Sequence, residues 1–194
     1  MKQILFLIIY VLSVNLYADK CTLLSAQECY DKAYDYEHGV DVDEDKKRAK
    51  NLYIKSCDSG NTKACFNLGL MYSYGYGIAK DSRKAEGLYY KACKENYIDG
   101  CYNLGKIYTD GFGVSVDKEG AVRAYKKACE NNHEKACFNL ALIFYEDDEI
   151  NQDLEKAVLL FKKACDLGDQ DSCINYELLK YSCISSTDKG LENK

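Results

Sequence analysis

Eleven cysteines in 194 residues set the chemistry open to this chain. Thiols form disulfides, bind soft metals or act as nucleophiles, and their spacing separates these uses. Cys21, Cys29, Cys57, Cys65, Cys93, Cys101, Cys129, Cys137, Cys165 and Cys173 form pairs 8 apart, each pair starting 36 residues after the last, and Cys183 stands outside the period. C-x7-C is wider than the C-x2–4-C of zinc sites, so no metal is expected and disulfides are the simpler use. On one continuous helix, partners 8 apart would be separated by about 12 Å, beyond the 4.4–6.8 Å between Cα atoms that a bridge allows. Partners 8 apart can meet only if the chain turns back between them.

A fixed period in this range means stacked supersecondary units, so the sequence reads as columns. One segment, helix A, is expected to open at the second cysteine of a pair: Cys65, Cys101 and Cys137 lead into Leu68, Leu104 and Leu140, then Met71, Ile107 and Ile143, then Tyr72, Tyr108 and Phe144. That is an apolar stripe at helical spacing. Gly75, Gly77, Gly111 and Gly113 suit its C-terminus, whereas Asp147 and Glu149 take that place in the fourth unit and predict a different loop there. Asp45, Asp81, Asp117 and Asp153 are expected to cap helix B, whose inner face reads Ala49, Ala85, Ala121, Ala157 and then Tyr53, Tyr89, Tyr125, Phe161. Helix B ends at the next cysteine, and Gly60, Asn96, Asn132 and Gly168 mark the turn that follows, being the residue types that enter the left-handed region most cheaply. With no proline in the chain, the expectation is four helix pairs and a closing helix across residues 26–181.

An antiparallel helix pair leaves two cysteine pairings open. Pairing by 8 strands only Cys183, while pairing by 28 strands Cys21, Cys173 and Cys183, and the first is the expectation. The Cys21–Cys29 pair is the least regular, since Leu24 occupies its turn column.

The compartment is read from the N-terminus. Lys2, the apolar run Ile4–Val14 and the small-residue site at Ala18 have the pattern of a secretory signal peptide, so residues 1–18 are expected to be removed, 19–182 to form the repeat array and 183–194 a polar tail. Asp19 and Lys20 do not suit lipidation at Cys21, and no second apolar run predicts a membrane anchor. The product is expected in the periplasm or secreted. The net charge of -5, with no basic run, speaks against nucleic acid as a partner.

The columns K-A-C, C-x-N-L-G-x-x-Y, G-x-G and D-x-x-K-A resemble the Sel-like repeat family, relatives of tetratricopeptide repeats, and the added C-x7-C resembles its exported branch, the Helicobacter cysteine-rich proteins. The resemblance covers about residues 20–181. It implies an all-α fold, a right-handed α/α superhelix with C-x7-C disulfides linking neighbouring helices. It also implies adaptor-like binding of a protein, a peptide or a peptidoglycan fragment, and, as the alternative, a β-lactam-binding protein with weak β-lactamase activity.

Catalytic residues are not expected. A serine β-lactamase needs S-x-x-K with S-D-N and K-T-G, and only Ser186-Thr187-Asp188-Lys189 matches the first, in the polar tail without the other two. His38 and His133 lie in different repeats without zincin spacing and are read as loop or helix-end residues. No cofactor is implied. Binding has better candidates: Asn67, Asn103, Asn139 and Asn175 share one column of helix A, with Asp31 in its place in the first unit. In a tetratricopeptide-like array helix A lines the concave surface, and a row of amides can pair with the backbone of an extended peptide. The competing use is a tie from each Asn to its own repeat. Tyr72, Tyr108, Tyr89 and Tyr125 are expected in the core, Phe66, Tyr102 and Phe138 in packing, and Tyr74, Tyr76 and Tyr97 nearer the surface. Lys55, Lys91, Lys127 and Lys163 suit the negative end of helix B.

An odd thiol in an oxidising compartment seeks a partner, so a minor dimer through Cys183 is expected. Non-reducing gels should show a dimer band for wild type that Cys183→Ser lacks; identical bands would remove the idea.

Overall fold

The computed structural model of the chain describes residues 25–111, 113–146 and 153–188, with side chains up to residue 181. The expected signal segment, Cys21, the loop carrying Asp147 and Glu149, and residues 189–194 lie outside the described residues. Every regular element among the described residues is an α-helix. These are α1 (Ala26–His38), α2 (Lys46–Asp58), α3 (Thr62–Tyr74), α4 (Ser82–Lys94), α5 (Ile98–Asp110), α6 (Lys118–Glu130), α7 (Glu134–Glu146), α8 (Leu154–Asp166) and α9 (Gln170–Asp188). Odd-numbered helices are the A helices of the repeat and even-numbered ones the B helices. The last helix runs through Asp188, past residue 182, where a polar tail was expected to begin.

The chain divides into two compact units between Lys80 and Asp81. In the first, α1 packs on α2 and α2 on α3; in the second, each helix from α4 to α9 packs on the next.

The B-to-A corner is built the same way each time. Gly60, Asn96, Asn132 and Gly168 all have positive φ. The Asn61, Tyr97, His133 and Asp169 N–H groups reach back to the Ser56, Ala92, Ala128 and Ala164 carbonyls at 3.0–3.1 Å. This is the six-to-one bond that closes a helix on a left-handed residue. The residue that ends helix B in this way also starts helix A: Asn61 Oδ1 accepts from the Ala64 N–H at 3.0 Å, His133 Nδ1 from Ala136 at 3.2 Å and Asp169 Oδ1 from Ser172 at 2.7 Å. Tyr97, in the same column, makes no side-chain cap. This double use moves the start of helix A three residues ahead of the expected cysteine, and helix B runs one residue past its own. In α1 the corresponding start is a capping box between Ser25 and Glu28.

Folded back by this corner, the cysteines pair by 8: Cys57–Cys65, Cys93–Cys101, Cys129–Cys137 and Cys165–Cys173, with Cα–Cα distances of 4.5–4.7 Å. Cys29 is also in a disulfide, and its expected partner Cys21 lies outside the described residues.

The A-to-B connections end α3 and α5 on left-handed Gly75 and Gly111 and start each B helix on an aspartate. Asp45, Asp81, Asp117 and Asp153 accept from the backbone N–H three residues on. These bonds hold the Asp81 carboxyl below the ordinary carboxylate range; at Asp153 the Lys156 ammonium acts first and the cap second.

Small against large fills the interior. Ala49, Ala85, Ala121 and Ala157 and the rings of Tyr53, Tyr89, Tyr125 and Phe161 are buried. A Cβ on Gly105 would come within 2.6 Å of the Tyr125 ring, so glycine there lets α6 lie close on α5. Tyr72 and Tyr108, expected in the core, are only half-buried. The Lys127 ammonium donates to the Cys93 carbonyl at 2.6 Å and Lys163 to that of Cys129 at 2.7 Å, so each serves the end of the preceding B helix rather than its own.

Replacing both cysteines of one bridge, as in Cys129→Ala with Cys137→Ala, should lower the unfolding free energy by about 2.5 kcal/mol, the chain-entropy value for so short a loop. Urea denaturation reads this directly, and an unchanged midpoint would mean that the corner holds without its bridge.

Candidate functional site

The asparagine column lies on helix A, one turn past the corner, and all four residues are half-buried. In the first unit, Asn67 Nδ2 donates to the Tyr53 hydroxyl at 3.2 Å and lies 3.5 Å from that of Tyr30. Tyr53 donates in turn to Glu37 Oε2 at 2.6 Å. In the second unit, Asn139 Nδ2 donates to the Tyr125 hydroxyl at 3.1 Å. That hydroxyl also accepts from Thr109 Oγ1 at 3.4 Å, and Thr109 Oγ1 lies 2.9 Å from the Gly105 carbonyl as well.

Asn103 and Asn175 behave differently. Each donates to its own helix, Asn103 to the Asp99 carbonyl at 2.8 Å and Asn175 to that of Asp171 at 2.9 Å. For Asn175 the reason is chemical: the residue 14 before it, where Asn67 and Asn139 find a tyrosine, is Phe161, which has no hydroxyl. Asp31, in the first repeat, accepts instead from Gln27 Nε2 at 2.7 Å. The column thus contains two cross-helix ties and two local ones. In all four the named bonds use an amide N–H, and an asparagine amide has a carbonyl oxygen besides.

The tyrosines carry the electrostatic signature of this arrangement. Burial, and then the bond to Glu37, push the Tyr53 phenol well above its ordinary value. Burial lifts Tyr125 to about 12, opposed by the bonds from Thr109 and Asn139. These hydroxyls were legible in the sequence only as core residues. Their alignment 14 positions before the asparagines was the available signal.

Other residues singled out by sequence have local roles. His38 stacks on Tyr34 at 4.0 Å with Nδ1 3.0 Å from the Tyr34 carbonyl. His133 stacks on Tyr102 at 4.4 Å while capping α7. Tyr102 and Phe138 tilt against the rings of Tyr125 and Phe161. Tyr74 and Tyr76 are exposed and stack on each other at 5.4 Å, while Tyr97 is half-buried. Ser186 to Lys189, like the Cys183 thiol, lie beyond the described side chains. Among the described residues no group of His, Cys, Asp or Glu forms a metal cage, and no helix is long and apolar enough to cross a membrane.

Comparison with known proteins gives the same repeat. The Sel1 repeat model matches residues 29–61, 62–97, 98–133 and 134–169. The chain is similar to cysteine rich protein B of Helicobacter pylori, with 32% identity over 67% of this chain and 93% of that one and a TM-score of 0.52. It is also similar to a Sel1 repeat protein of Oxalobacter formigenes, with 26% identity over 78% of this chain and a TM-score of 0.74. The same fold occurs in a protective antigen of uropathogenic Escherichia coli, with 21% identity over 81% of this chain and a TM-score of 0.74. The chain spans 62% and 34% of the length of these last two structures. No functionally curated protein matches it.

Tyr125→Phe should cost about 1 kcal/mol at neutral pH, the scale of a lost hydrogen bond, because Asn139 and Thr109 lose their common partner. Since the folded phenol titrates near 12 and an unfolded one near 10.0, wild type loses stability as pH rises through that window. Tyr125→Phe should flatten this alkaline slope in denaturation experiments from pH 9 to 12; an equal slope in both proteins would contradict the assignment.

Proposed function

This chain belongs to the Sel1 repeat family, and from that premise we propose that it is a scaffold that binds another protein through an extended segment laid along the helix-A face. The observation that carries the proposal is the asparagine column. Asn103, Asn139 and Asn175 recur at the repeat interval on successive A helices of the second unit, half-exposed, each oriented by a bond from its own amide N–H. An oriented amide offers a carbonyl to a backbone N–H of the bound segment, and an extended chain presents such groups at regular intervals. Orienting the side chains before binding lowers the entropy lost on complex formation. Asn67 supplies one further amide of the same kind on the first unit.

The compartment follows from the sulfur chemistry. Four bridges in regular positions are stable outside the reducing cytoplasm, which supports an extracytoplasmic site of action, as does the similarity to a cysteine-rich Helicobacter protein. Export through a signal segment at residues 1–18 belongs to the same proposal.

Asn103 and Asn175 separate function from folding, because each bonds a carbonyl of its own helix. Peptides selected from a displayed library on the wild-type protein should bind the Asn103→Ala, Asn175→Ala double variant at least tenfold more weakly, while its circular dichroism and urea midpoint stay close to wild type. Equal affinity for the two proteins would return the column to a structural role.

A further inference from the structure

On the B-helix side of the second unit a groove occurs twice, at one repeat's interval. The first, of about 270 Å³, has α4 and α6 as its sides and α5 as its floor. The second, of about 360 Å³, lies between α6 and α8 over α7. The lining positions correspond column by column: Leu104 and Tyr108 in the first become Leu140 and Phe144 in the second, and Lys127 becomes Lys163. Those two lysines also explain the spacing of the walls. Each reaches the last turn of the preceding B helix, so one lysyl side chain bridges the two helices there.

Both grooves combine apolar surface with cations. Leu159 in the second and Tyr90 in the first are 60% and 58% exposed, so large side chains stand open to solvent at their edges. The first groove is lined by Lys94, Arg123 and Lys127 and by no carboxylate. The second is lined by Lys126, Lys156 and Lys163 against Glu130 alone. In a chain of net charge -5 both linings hold more cations than carboxylates, with Glu86 bonded to the Tyr108 hydroxyl beside the first groove. Part of that charge is readily redirected: Arg123 lies 3.8 and 3.6 Å from Asp117 and Glu119, and Lys126 lies 3.9 Å from Glu130. Long, exposed pairs of this kind hold their charges only weakly. Lys156 is held more closely, 2.6 Å from Asp153, and Lys127 and Lys163 are already engaged by the carbonyls of the preceding B helices, so Lys94, Arg123 and Lys126 are the cations offered to a ligand.

We propose that these two grooves together dock an extended acidic segment of a partner protein. This surface is distinct from the asparagine face. The helix α6 alone separates the two grooves, and one lysyl side chain spans each pair of walls, so an extended chain rising about 3.3 Å per residue passes from one groove to the next within a few residues. Carboxylates between and beside those anchors then meet Arg123, Lys94 and Lys126 at the rims. The apolar anchors supply the burial, and the cations select the sign and speed the encounter.

The probe is a capped, fluorescent hexapeptide with phenylalanine at its second and fifth positions and aspartate elsewhere, titrated against the full chain at low salt. Its counterpart has lysine at every aspartate position. The acidic peptide should bind and the basic one should not. Arg123→Glu and Leu159→Asp, both on exposed side chains, should each weaken binding at least tenfold without changing helicity, and the Asn103→Ala, Asn175→Ala variant should bind as wild type does. Failure of the acidic peptide to bind, equal binding of both peptides, or unchanged affinity in Arg123→Glu and Leu159→Asp would overturn the proposal. So would loss of binding in the asparagine variant, which would assign the peptide to the other face. Capture of anionic lipid vesicles without the peptide, through the same two residues, would overturn it in favour of a lipid surface.

Discussion

The left-handed corner between helix B and helix A is the constraint on which the rest depends. A residue with positive φ reverses the chain within three positions, the next residue closes one helix and opens the other, and the bridge fixes the two cysteines that the reversal has brought together. Only glycine and asparagine occupy that column from the second repeat onward, as the local backbone energy requires. Once helix A is folded back at this angle, the ring of the next helix B meets a small residue on helix A, Gly105 beneath Tyr125 and Ala141 beside Phe161. At Asn67 and Asn139 the asparagine one turn further on then comes within reach of a tyrosine hydroxyl on the helix before it.

The bridges matter because the interior is made of small side chains. Much of the buried apolar set is alanine and cysteine, with one large ring per B helix. Such an interior permits close helix approach but removes less apolar area from water per residue than a leucine-rich one. Cross-links that restrict the unfolded chain contribute on the scale of a domain's net stability, about 5–15 kcal/mol, when several act together. The same economy of side-chain size leaves the B helices far enough apart for lysines to span between them and for grooves to remain. Packing and surface chemistry thus follow from one choice of residue sizes.

Most of the fold was legible because period and column identity report backbone geometry. Asp45, Asp81, Asp117 and Asp153 were recognisable as caps, and Gly60, Asn96, Asn132 and Gly168 as the turn, since each role depends on one residue type and a few neighbouring atoms. The exact start of helix A was not, because Asn61, His133 and Asp169 look like ordinary loop residues until their bonds to both helices are seen. The site was less legible than the fold. A tyrosine in an apolar stripe reads as packing, and nothing local to Tyr125 indicates that its hydroxyl receives Asn139 from the following helix. Lys127 and Lys163 were understandable as helix-end cations, but which helix end they serve depends on the stacking of successive repeats. The grooves exist only in three dimensions, as space between helices whose sequences separately show a polar face.

In the proposal made above, the helix-A asparagines form an interaction face rather than only a set of internal ties. The most direct measurement is a nitrogen-15 NMR titration of the full chain with a peptide selected on it, following the asparagine side-chain amides. The Asn103 and Asn175 side-chain resonances should shift with saturation as the peptide binds, while the dispersion of the backbone spectrum is preserved. Saturable binding that moves other resonances and leaves those two amides in place would contradict the proposal.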